Sequence, residues 1–202
     1  MTACAGSQPA ETPAPVAPVR PLAALAAQQV IVTPTHSLRE VDALGWTAQI
    51  PRSREYLRSF DDALATELAA RGIQSQWVWP ADLTRAARAN PSYAVDPYAL
   101  AASPLRDRAV MGGTRIGDPL ATQLRTMVAL QERARAILLP VELRFDKDAT
   151  GQGVAVVRLA LIDGRLGEVR WIGDVRGDPS PTFSRALLTT LAAHMSDLIT
   201  AP

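Results

Sequence analysis

The stretch "GVAVVRLALI" (153–162) constrains the fold more than any other part of the chain. It is almost wholly apolar and rich in β-branched residues, with no helical spacing of polar positions. Such a run fits a strand buried on both faces, so something must cover each side of the sheet that holds it. The segments on either side read as its neighbours. "AILLPVELRF" alternates in its second half, with Val141, Leu143 and Phe145 set against Glu142 and Arg144. "GEVRWIGDV" sets Val169, Trp171 and Val175 against Glu168, Arg170 and Asp174. Short polar turns, one of them at Asp163-Gly164, join the three into an antiparallel meander. Pro140 removes a ladder donor and predicts an edge or a bulge there.

Helices to cover this sheet are legible on both sides of it. After Pro51, Leu57, Phe60, Leu64 and Leu68 recur three to four residues apart, and Gly72 stands where a left-handed C′ residue is expected. Upstream, "QVIVT" (29–33) is a short buried strand; downstream, "IQSQWVWP" reads as another, closed by Pro80. "ADLTRAARAN" predicts a short helix. The proline-rich region 90–119 predicts a long irregular excursion. Asp118-Pro119 predicts an N-cap and a first helical position for a helix through Leu120, Leu124, Met127 and Val128. Ser180-Pro181 predicts the start of a last helix through Phe183, Leu187, Leu191, Met195 and Leu198. The order is β-α-β-α-α-β-β-β-α. The expected class is α/β (α+β), with one mixed sheet of about five strands and helices packed on it.

The domain reading places one globular α/β domain over residues 28–202, preceded by an extended, disordered segment over residues 1–27. The first 21 residues hold Pro9, Pro13, Pro15, Pro18 and Pro21, which disfavour both helix and sheet. At about 3.1 Å per residue, the stretch after Cys4 would span roughly 50 Å. Lys and Arg number 21 against 20 Asp and Glu. Without a basic stripe to neutralise phosphates, nucleic acid is not expected as a partner. No apolar run has the length of a membrane span.

The candidate chemistry is sparse, and no cofactor or metal is expected. Cys4 is the single cysteine, so it has no partner for an internal disulfide. His36 reads as an exposed loop residue and His194 as a helix-flank structural residue; Asp61-Asp62 reads as a solvated stretch of helix. "GGTRIGDP" (112–119) imitates a glycine-rich phosphate loop leading into a helix, but Asp118-Pro119 stands where that chemistry needs Lys-Ser/Thr. A flexible loop before a capped helix is the simpler reading. "DKDATGQG" opens like a calcium loop at Asp146, Asp148 and Gly151. Its twelfth position is Val157, which cannot ligate, so a polar hairpin is expected. Trp77 and Trp79 share one face of their strand. They fit either a core pair or a contact for a partner.

Met1-Thr2-Ala3-Cys4 resembles a bacterial lipobox, in which small residues precede a cysteine that receives a diacylglyceryl group. The resemblance implies lipidation of Cys4 and attachment to a membrane through it. It also implies a signal peptide ahead of the cysteine, which the three residues before Cys4 do not supply. With no Asp beside Cys4, it favours the outer membrane and the periplasmic side. The unit "REYLRSFDDALATELAARGI…WVWP", with Leu64, Leu68 and Gly72, resembles the CsgG-like, TolB amino-terminal and Lpo-type periplasmic domains over 28–199. These domains act by binding and not by catalysis. The resemblance therefore implies no enzyme, but an accessory subunit of an envelope complex whose partner is another envelope or membrane protein. Activation of a cell-wall synthase is one alternative. A small-ligand-binding or hydrolytic domain built on Gly112–Gly117 is another.

Overall fold

A computed structural model describes residues 20–73, 77–131 and 134–200. It has one four-stranded sheet in the order β1-β2-β3-β4: β1 Val30–Val32, β2 Ala136–Lys147, β3 Gly153–Asp163 and β4 Glu168–Arg176. β1 runs parallel to β2, and β2, β3 and β4 form the antiparallel meander. The sheet is mixed, as expected. The strand count falls by one, because the expected strand around Trp77 contributes a single bridge, Ile31 to Val78. Val78 exchanges two backbone hydrogen bonds with Val30 and Val32, so this bridge occupies the fifth position, on the free side of β1. Pro80 opens a helix two residues later and leaves no room to lengthen it.

Two apolar layers sandwich the sheet. On one face lie α1 (Ser53–Ala70) and α4 (Ala186–Asp197), with Phe60, Leu64, Leu68, Leu187 and Leu191 over Leu138, Leu143 and Val157. On the other face lie α2 (Pro80–Ala89) and α3 (Leu120–Ala129), with Leu83, Leu120 and Leu124 over Ile137, Leu139 and Ile162. The twin cover answers the wholly apolar β3, which is buried along most of its length. The 90–119 excursion contains two 3-10 turns, Pro97–Ala99 and Ser103–Arg106.

Local chemistry sets the boundaries. At the end of α1 the Gly72 N–H donates to Ala69 O and the Ile73 N–H to Leu68 O, and Gly72 has φ +83°. This is the Schellman arrangement that the glycine predicts. α4 begins at Ala186, not behind Ser180-Pro181. Ser180 instead exchanges two backbone hydrogen bonds with Gly153. Phe183 joins Trp46, Tyr56 and Phe145 in an aromatic cluster. The packed structure also starts ahead of residue 28. A 3-10 turn, Ala23–Ala27, places Leu25 in the core, and Leu22 just before it is fully buried.

Candidate functional site

Two prolines shape a polar cleft. Pro140 gives β2 a bulge, where the register with β3 shifts between Pro140 and Glu142. The bulge reverses side-chain parity: Val141 joins the α2/α3 face, while Leu143 and Phe145 point to the α1/α4 face. Glu142 and Arg144 are therefore buried on the α2/α3 side of the sheet instead of facing solvent. Arg39 pairs with Glu142, and Arg144 donates to Asp146 and, at 2.6 Å, to Asp174. Beside the bulge, Pro34 breaks the continuation of β1. The His36 N–H then donates to Pro140 O, and parallel pairing resumes at Leu38 and Leu143. The interrupted segment, Thr35 and His36, forms one wall of a cleft of about 260 Å³; α1 and the Asp96–Ala99 turn form the others.

Asp61 is the central group of this cleft. Its Oδ1 accepts from Thr35 Oγ1 at 2.6 Å and from the Thr35 N–H at 3.0 Å. Burial pushes its carboxyl up to about 7, against the opposing pull of the two Thr35 hydrogen bonds. Asp61 is thus not part of a solvated stretch: its side of α1 faces the β1 exit, and only Asp62 is exposed. His36 is half-buried, not an exposed loop residue. Burial, helped by the charge of Arg106, brings its ring down to about 4, so it is neutral at pH 7. Sequence reasoning missed this pair because 25 residues separate them. Two signals were available: the run Pro34-Thr35-His36 between a strand and a helix, and the spacing of Asp61, four residues after Leu57 and three before Leu64, which puts it beside the buried face of α1 while Asp62 points away.

The glycine-rich loop lies elsewhere. The Gly113 N–H donates to Val169 O, the Ile116 N–H donates to Gly167 O, and the Val169 N–H donates to Thr114 O. The loop is a pinned addition to the edge of β4, and a third amide, that of Thr114, is committed to Met111 O. Gly117 and Asp118 line a separate, largely apolar cavity of about 310 Å³. α3 starts one residue later than expected: Pro119 is its N-cap, with no side-chain cap there, and Asp118 just ahead of it accepts from the Thr122 N–H and hydroxyl. The Asp146–Gly153 segment is a hairpin connection in which Asp148 accepts from the Thr150 and Gln152 N–H groups. Among the described residues no cluster of His, Cys, Asp or Glu could hold a metal ion.

The remaining candidates are structural or peripheral. His194 joins α4 to the exit of β4 through Arg176 O at 2.8 Å and Asp178 at 3.1 Å. Trp77 is 5 % exposed and Trp79 half-buried, with ring centroids 6.0 Å apart. The pair packs against the α1/α4 core. Cys4 and the prolines that follow it up to Pro18 lie outside the described residues. No described helix is long and apolar enough to cross a membrane.

No protein-family model and no curated relative matches the sequence. Solved structures do show similarity. A PelC dodecamer from Paraburkholderia phytofirmans is 16 % identical, over 88 % of this chain and 91 % of that one, with a TM-score of 0.43. The LpoB C-terminal domain from Salmonella enterica is 13 % identical, over 78 % and 93 % of the two chains, with a TM-score of 0.38. A lipoprotein from Neisseria meningitidis, GNA1162, is 16 % identical over 84 % and 96 %, also at 0.38.

Proposed function

We propose that this chain is a non-enzymatic interaction domain, held at a membrane on the periplasmic side through a lipid on Cys4, that helps assemble or stabilise a membrane-associated protein complex. The observation that carries the reading is the placement of the chain's single thiol. Cys4 sits behind small residues and ahead of a proline-rich run, in the place of a lipid acceptor and far in sequence from any described cleft. Two acyl chains or more are what stable anchoring requires, and a lipobox cysteine carries them. The outer membrane is the favoured site. A partner within the roughly 50 Å reach of the proline-rich segment is the simplest to serve.

Trp79 is the proposed contact for that partner, with the buried Trp77 ring supporting it from beneath. A large ring that is half-exposed and rigidly backed is the kind of anchor that dominates binding energy in protein interfaces. Crosslinking in intact cells, followed by purification from membranes, tests the reading. A stoichiometric protein partner, weakened by Trp79→Ala with the fold retained, supports it. Recovery as a soluble, partnerless monomer contradicts it.

A further inference from the structure

The cleft between the β1 exit and α1 holds opposite charges that do not neutralise one another. Arg54, Arg58, Asp61 and Asp96 all line it, and none of the four forms an ion pair among the described residues. Arg54, Arg58 and Asp96 are exposed at the rim and Asp61 is half-buried, so their charges stay available to a ligand. Three of the four are engaged otherwise. The Arg58 guanidinium lies over the Tyr98 ring, 5.6 Å from its centroid. Asp96 accepts from the Tyr98 N–H. Asp61 turns Oδ1 to Thr35, while Oδ2 has, among the described residues, one long contact, 3.4 Å from the Thr35 N. A carboxylate oxygen in a desolvated position with unused acceptor capacity asks for a donor, and a cationic one most of all. Leu57 and Ala99 supply an apolar wall beside these poles.

We infer that this cleft is a binding site for a small zwitterion of free α-amino-acid size, its ammonium group on Asp61, its carboxylate on Arg54 and Arg58, and its side chain toward Leu57 and Ala99. A simple anion would leave Asp61 unanswered and feel its repulsion. A simple cation would meet two guanidinium groups. Only a ligand carrying both charges answers both poles at once. The volume, about 260 Å³, suits such a molecule. The site is independent of the anchoring role, because it uses neither Cys4 nor Trp79.

Isothermal titration calorimetry on the full chain at neutral pH tests this, with L-leucine as the probe and acetate and methylammonium as single-charge controls. The expected result is saturable L-leucine binding, with neither control binding in the same concentration range. Arg58→Gln and Asp61→Asn should each weaken it by about tenfold or more, the scale of one charge-assisted hydrogen bond. Arg58 is exposed, so R58Q keeps the test decisive even if D61N disturbs the fold. No L-leucine binding by the folded chain overturns the inference. So does binding that R58Q leaves unchanged, or acetate binding as tightly as L-leucine.

Discussion

Thr35 Oγ1 donates to Asp61 Oδ1 at 2.6 Å, and this contact ties the exit of β1 to the middle of α1. It joins residues 26 positions apart and fixes one wall of the cleft to the other. Asp61 thereby becomes a half-buried acid at a joint between elements, in one cleft with a half-buried imidazole of opposite titration sense.

The two groups predict opposing pH dependences. Asp61 binds its proton more tightly in the folded state, with its carboxyl raised to about 7. The stability it contributes is full below about pH 4 and is lost as pH rises through about 7. His36 binds its proton less tightly when folded, at about 4 against the ordinary 6.5. Its contribution is present above about 6.5 and is lost as pH falls through about 4. In the parent chain the two slopes offset each other. Urea midpoints for Asp61→Asn should therefore rise from pH 4 to 6.5, and those for His36→Gln should fall from pH 4 to 7. Parallel profiles for the two variants would refute the assignment.

Arg71 clasps the ends of two helices on one face of the sheet. It donates to Glu67 on its own helix at 2.8 Å and to Asp197 on α4 at 2.6 Å. Its side chain is well shielded, so the pairs are less screened than surface ones. Arg71→Ala is expected to cost about 1–3 kcal/mol in urea denaturation. Arg71→Lys should recover only part of this, because an ammonium cannot reproduce the guanidinium fork.

Gly153 is required by a ring and not by its backbone angle. A Cβ there would lie 2.1 Å from Trp46 Cη2. Gly153→Ala is expected to cost about 1–3 kcal/mol from overpacking, and to cost less when made together with Trp46→Leu. Gly72→Ala is the contrast. Open space surrounds it, and only its φ of +83° resists, at about 1 kcal/mol. Thermal unfolding of the three single variants and the pair separates the two mechanisms.

Arg144 lies buried between Asp146 and Asp174. Arg144→Ala removes the buried member of this network but leaves Asp174 beside Arg158 and Asp146 beside Arg176, and should cost about 1–3 kcal/mol. Asp174→Asn should cost less, since Asp146 still holds the guanidinium. Equal costs in guanidinium chloride titrations would show that the network does not share its charge in this way.

The layered plan was legible in the residues, and the cleft was not. Leu57, Phe60, Leu64 and Leu68 mark a helix face by spacing alone, and the apolar run of β3 requires cover on both sides. Gly72 marks the end of α1 through its conformational freedom. These are local signals. The parity reversal at Pro140 and the pairing of Thr35 with Asp61 depend on which strand lies beside β2. No spacing along the chain encodes that neighbour. Glu142 and Arg144 therefore read as solvent-facing in sequence and are shielded in the fold, whereas the solvated reading of Asp61 overlooked its spacing to Leu57 and Leu64. The Trp77 segment failed for a related reason: its alternation suits a strand, but Pro80 starts α2 before more than one bridge can form. Gly112–Gly117 carries the composition of an anion loop, yet its Gly113 and Ile116 amides are spent on Val169 O and Gly167 O.

The central claim is attachment through Cys4, and one measurement addresses it directly: mass spectrometry of the amino-terminal peptide from washed membranes of the native host. The account predicts a peptide that begins at Cys4 and carries a diacylglyceryl group on its sulfur. A free Cys4 thiol on protein recovered in the soluble fraction would contradict it.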